Sequence, residues 1–147
     1  GRITIAVTER VPAVAVAQGS GFALADAQGR VVAVSPDAAD LPQVEGIGPV
    51  EPGMDLVGND LVATTVAAAL PPGLASVIDS VRHTSDLGVV ATLADGGDMV
   101  VGEAVDLDTK VVAMQTFLAT VDLACLVTVD FRVAGSAVAT REPGCVG

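Results

Sequence analysis

The sequence predicts an α+β domain: a mostly antiparallel, twisted sheet with two helices packed on it. Three observations carry this. Short runs of alternating apolar and polar residues recur between Gly-, Pro- and Asp-rich turns. Only two stretches show helical periodicity, near residues 59–70 and 106–120. No solenoid-length repeat interrupts the pattern.

Ile3, Ile5 and Val7 alternate with Thr4, Ala6 and Thr8, predicting a strand that stops before Pro12. Ala13 to Val16 reads as a second strand. Phe22 to Asp26 and Arg30 to Val34 flank Ala27-Gln28-Gly29, a hairpin with Gly29 at the left-handed turn position. Ser35 to Gly58 is too rich in Pro, Gly and Asp for a regular element, with Leu41, Val44 and Ile47 as apolar anchors. Asn59 or Asp60 is placed to cap a helix that Pro71-Pro72-Gly73 ends, with Leu61, Val62, Thr65, Val66 and Ala69 facing inward. A strand is expected over Ala75 to Val81. Val89 to Leu93 and Met99 to Val101 flank Asp95-Gly96-Gly97, the strongest hairpin signal in the chain. Leu107, Val111, Met114, Leu118 and Val121 give the second helix its inner face, and Asp106 and Asp108 suit its N-terminus. The chain closes with Val127 to Val133 and Ala137 to Arg141 around Ala134-Gly135-Ser136, a terminal hairpin.

Composition narrows the function. The 147 residues suffice for one domain with a true core. Half are apolar, yet there is no Trp or Tyr and only Phe22, Phe117 and Phe131, so Val, Ala, Leu and Ile must fill the interior. The net charge is −11, from 18 acidic and 7 basic residues, with no basic cluster for a phosphate backbone or an anionic membrane. The most apolar stretch, Leu61 to Ile78, is broken by Thr64-Thr65 and Pro71-Pro72-Gly73 and does not read as a membrane span.

Chemistry is sparse. His83, the sole histidine, has only Asp79 and Asp86 as sequence-near carboxylates, and reads as a surface residue. Asp95-Gly96-Gly97-Asp98 lacks the ligand spacing of a calcium loop. Neither Gly19-Ser20-Gly21 nor Gly46-Ile47-Gly48 links a strand to a helix as a phosphate cradle would. Ser20 and Ser136 have no activating context, and Lys110 is the only lysine. These features predict no enzyme, no metal and no cofactor. The alternative of a secreted small-molecule or glycan-binding module lacks the aromatic platforms that sugars favour. In the closing hairpin, a two-residue loop at Ala134-Gly135 pairs residues whose numbers sum to 269. That register sets Cys125 opposite residue 144, within reach of a disulfide to Cys145; two separate thiols are the other reading.

"VTERVPAVAV", "FALADAQGRVVAV", "LPQVEG", "PGMDL" and "TLADGGDMVVGEAVDLDTKVVAMQTFLATV", in this order, resemble the extracytoplasmic β-domain of the bacterial cell-division family FtsQ/DivIB, of the actinobacterial type, over about residues 7 to 141. The resemblance implies that residues 1–12 are the last strand of a POTRA domain and its connection. Residues 13–141 are then the β-domain and 142–147 a tail. It implies a single-pass protein, anchored by one N-terminal transmembrane helix, on the extracytoplasmic face of the cell membrane at the septum. It further implies a non-enzymatic divisome scaffold whose partners are FtsB- and FtsL-like bitopic proteins, the partner adding a strand to the C-terminal edge. Carried over, that edge is Ser136, Ala137, Val138, Ala139, Thr140 and Arg141. Here the side chains are small where proteobacterial members carry bulky ones, and Arg82 and His83 are the candidates for an upstream cationic contact. Edge strands are usually blunted by Lys, Pro or a bulge; Arg141 and Pro143 come only at the end of this one.

Overall fold

The computed structural model describes residues 1–46 and 48–144. Among them nine strands form one sheet: β1 (Val14–Gln18), β2 (Gly21–Ala25), β3 (Val31–Ser35), β4 (Gln43–Glu45), β5 (Ile78–Thr84), β6 (Gly88–Leu93), β7 (Asp98–Gly102), β8 (Leu126–Asp130) and β9 (Val138–Arg141). Three helices accompany them: α1 (Gly58–Ala69), the single-turn α2 (Pro72–Ala75) and α3 (Leu107–Thr120). The order across the sheet is β3-β2-β1-β4-β5-β6-β7-β8-β9. Five neighbouring pairs are antiparallel hairpins, whereas β1/β4, β4/β5 and β7/β8 are parallel. Parallel neighbours need a long crossover, and this explains the helices. α1 and α2 carry the chain from β4 to β5, and α3 carries it from β7 to β8. The α+β reading stands.

Several local expectations change. Residues 1–13 form no strand, and Ile3, Ile5 and Val7 stay exposed. Alternation makes a strand only where a neighbour accepts its hydrogen bonds, and none does here. The segment is held instead by Arg10, which pairs with buried Asp26. The irregular stretch hides β4, missed because it is three residues long with only Val44 buried. Its Ile47 lies outside the described residues. The strand expected over Ala75 to Val81 begins at Ile78, because Pro71 and Pro72 start α2 first.

Neither Asn59 nor Asp60 caps α1; Val57 takes the N-cap position without a side-chain bond. The inner face of α1 is Ala63, Thr64, Val66 and Ala67, while Ala69 is exposed. A helix built of Ala, Val and Leu nearly all round has no strong stripe, and small alanines let it approach the sheet closely. In α3, Met114 is fully buried, and Leu107, Val111 and Leu118 pack partly buried against the core as expected. Asp106 precedes the helix in left-handed conformation and makes no side-chain cap bond. The core runs from Val14, Val16 and Val44 through Val81, Val89 and Met99 to Val129 and Phe131.

Asp26 ties the entry segment to the β2–β3 turn. Its carboxylate accepts the amide hydrogens of Gln28 (3.0 Å) and Arg30 (2.9 Å) as well as Arg10. Burial pushes its pKa up, but the Arg30 amide, the Arg10 guanidinium and the Gln28 amide together outweigh burial and hold it below the ordinary value. A depressed native pKa contributes stability above the unfolded value, about 4, that is lost as pH falls through the folded one. Asp26→Asn should therefore flatten the acid side of a melting-temperature profile and lower the plateau near neutrality. An unchanged acid limb would contradict this role.

Candidate functional site

The candidate site is the last edge of the sheet. β9 pairs with β8 through Asp130↔Val138, Val129↔Ala139 and Thr128↔Thr140, then through Leu126↔Arg141 after a bulge. The expected turn at Ala134-Gly135 is present, with Gly135 at φ 74° and the Ser136 amide donating to the Val133 carbonyl (3.1 Å). The register is nevertheless one residue away from the expected sum. Asp130 accepts the Arg132 amide (2.9 Å) and pairs with its guanidinium, which ends β8 early and lengthens the loop. The Arg132 hydrogen bond, against the opposing effect of burial, holds the Asp130 pKa below its usual value. Consequently Ser136 and Ala137 lie in the connection, and the strand proper begins at Val138.

The direction of the backbone groups follows from two bonds. The Glu142 amide donates to the Cys125 carbonyl (3.0 Å), so residue 142 faces β8. The Phe131 amide donates to the Val100 carbonyl (2.8 Å), so residue 131 faces β7 on the other side. Antiparallel backbone alternates. Both bonds therefore direct Val138 and Thr140 toward β8, and the N–H and C=O groups of Ala139 and Arg141 away from it. β9 stands last in the sheet order, with Val138, Ala139 and Thr140 exposed and Arg141 half-buried. With the Cys125 carbonyl on the Glu142 amide, the register at Cys125 falls two residues before the expected residue 144; the expected Cys125–Cys145 bond involves Cys145, which lies outside the described residues.

Helix α3 flanks this edge. The loop at Gly135 meets Thr109 near the start of the helix, where an added Cβ would stand 3.9 Å from its methyl. At the far end the Arg141 guanidinium donates to the Asp122 carbonyl (3.3 Å). Between them lies an open groove of about 440 Å³, lined by Thr109, Val112, Ala113, Thr116, Phe117, Thr120 and residues 135–137. Phe117 also meets Phe131 edge-to-face, with centroids 5.7 Å apart, fixing the helix on β8.

The other residues singled out by the sequence do structural work. Asp98, closing the Asp95–Asp98 turn, pairs with Arg82 (2.7 Å) and accepts the Thr92 hydroxyl (2.9 Å). Arg82 is thus committed across the sheet, and His83 lies in the same strand, far from β9 in the order. Lys110 is buried: its ammonium donates to the carbonyls of Val101 (2.9 Å) and Glu103 (2.8 Å), binding α3 to the end of β7. Its place on the Leu107–Met114 face was the available signal for that burial. Among the described residues no group of three or more His, Cys, Asp and Glu side chains could hold a metal, and no helix is long and apolar enough to cross a membrane.

Comparison with known proteins agrees with the topology. A search of the curated proteins finds no match. The model of the C-terminal part of the cell division protein FtsQ/DivIB matches residues 14–132, from the start of β1 to just past the end of β8. The match stops before β9, so the edge assignment stands on sheet order and register alone. With a family model covering this much of the chain on an α+β sheet of the expected kind, the chain belongs to the FtsQ/DivIB family of cell-division proteins.

Proposed function

We propose that this domain is a divisome scaffold that binds the extracytoplasmic segments of FtsB- and FtsL-like bitopic proteins by strand addition at β9. FtsQ/DivIB is a non-enzymatic cell-division family whose domains are extracytoplasmic parts of membrane-anchored septal proteins. The single observation supporting the finer reading is the placement of β9 at the end of the sheet order with Ala139 and Arg141 directed outward. Strand addition draws affinity from main-chain hydrogen bonds, so the small side chains of Val138–Arg141 are compatible with it. Residues 1–12, in this reading, lead in from a POTRA domain and a single membrane helix, and Arg10–Asp26 fixes that entry.

Ala139→Pro tests the edge. Proline removes one outward N–H and leaves the Val138 and Thr140 bonds to β8 in place. Calorimetric titration with an FtsB-like extracytoplasmic segment should show affinity reduced about tenfold or more, one such factor corresponding to about 1.4 kcal/mol. The melting temperature should change little. Unchanged affinity would remove β9 as the docking edge.

A further inference from the structure

Resting on the β9 reading, we propose that the face of α3 beside the edge also reads the partner. The segment it selects is extended, with apolar side chains at alternate positions and opposite charges at its two ends.

Helix α3 rises about 17 Å from Thr109 to Thr120, and β9 extends about 10 Å from Val138 to Arg141 beyond its turn. The helix and the closing turn meet where Gly135 lies beside Thr109, and just past the helix the Arg141 guanidinium reaches the Asp122 carbonyl. The groove lies between α3 and residues 135–137, which lead into β9.

A strand added to β9 lies about 4.8 Å beyond it, and its side chains alternate between the two faces of the sheet. Ala139 is opposite Val129, which is fully buried on the face that also carries Phe131 and Phe117. Every second residue of the incoming strand therefore points toward the α3 side. There it meets Val112, which is 61% exposed although apolar, together with Thr116 and Phe117. Burying Val112 needs an apolar neighbour of modest size, such as Val, Ile or Leu.

The charges are ordered along the same line. Asp108 lies one turn before Val112 on the same helical ridge and is exposed. Arg141 closes the other end. A cationic residue suits the first end and an anionic one the second. A peptide with apolar residues on successive positions would put half of them in water.

The test uses the blocked peptide Lys-Thr-Val-Thr-Val-Thr-Glu, which sets both charges on the valine face, made in both sequence directions to suit parallel or antiparallel addition, and a second peptide of the same composition with its two valines contiguous. Each is titrated to millimolar concentration into the isotope-labelled chain. The alternating peptide should shift the amide signals of Val112, Thr116 and Phe117 together with those of Ala139 and Arg141, and the contiguous peptide should bind about tenfold more weakly. Val112→Asp, an exposed substitution checked for an unchanged melting temperature, should weaken the alternating peptide by a similar factor. If Ala139→Pro abolishes binding while Val112→Asp does not, the α3 proposal fails and the edge survives. If Val112→Asp abolishes binding and Ala139→Pro does not, the edge reading fails instead, and with it this proposal. Absence of any shift with the alternating peptide, or sedimentation showing β9 occupied by a second copy of the chain, overturns the proposal as well.

Discussion

Phe131→Ala is expected to destabilise the domain by about 3–5 kcal/mol, the range for deleting a fully buried phenylalanine. The chain has no Trp or Tyr, and Phe131 is the largest of its fully buried side chains. The core it belongs to is built mainly of Val, Ala, Leu and Met, and short side chains cannot lean far into the vacated volume. The edge-to-face contact with Phe117 is lost too, worth about 0.5–1.5 kcal/mol beyond buried area. Urea denaturation should show a lower midpoint with the slope preserved. Because Phe131 joins β8 to α3, the variant should also bind partner more weakly under conditions where it is still folded. A midpoint close to the parent's would mean that this end of the core is not packed as described.

Lys110→Met is expected to lower stability by about 2–3 kcal/mol. Methionine keeps the length of the side chain but removes the ammonium's hydrogen bonds to the carbonyls of Val101, in a buried position, and Glu103, in a partly exposed one. A hydrogen bond from a charged group contributes about 1.5–3 kcal/mol, less where water can replace it. Removing a buried charge recovers part of its desolvation cost, so the net effect falls below the sum of the two. The charge also helps hold the nearby Asp130 carboxylate ionised. Chemical denaturation of the variant, with Val111→Ala as a comparison for simple truncation on the same helix, measures this. An equal or smaller loss than that of Val111→Ala would contradict the bridging role.

The strands were legible in the sequence where hairpin turns bounded them. Gly29, Gly96, Gly97 and Gly135 mark reversals that the structure places at positive φ. Parallel pairing was not legible, because β4 carries one buried residue and no turn announces its neighbours β1 and β5. The face of α1 was misjudged for a related reason: alanine gives little contrast between inside and outside. α3 was readable since Leu107, Val111, Met114 and Leu118 contrast with Asp108, Gln115 and Thr116. Within the candidate site, the terminal hairpin was legible in the sequence, but not whether its outer edge is free, because that depends on the order of the whole sheet. The register needed the Asp130–Arg132 clamp, a local side-chain bond that pattern alone does not reveal. The groove arises only when α3 and the closing hairpin are brought together by the β7–α3–β8 crossover, contacts far apart in sequence.

The most direct measurement of the central claim is residue-resolved amide hydrogen exchange across β9, with and without a saturating FtsB-like extracytoplasmic segment. In the free domain the amides of Val138 and Thr140 should be protected by β8, whereas those of Ala139 and Arg141 exchange quickly. On addition of the partner segment the Ala139 and Arg141 amides should become protected while the β3 edge is unaffected. Protection of Ala139 and Arg141 in the free domain, or no change in them at saturation, would contradict strand addition at this edge.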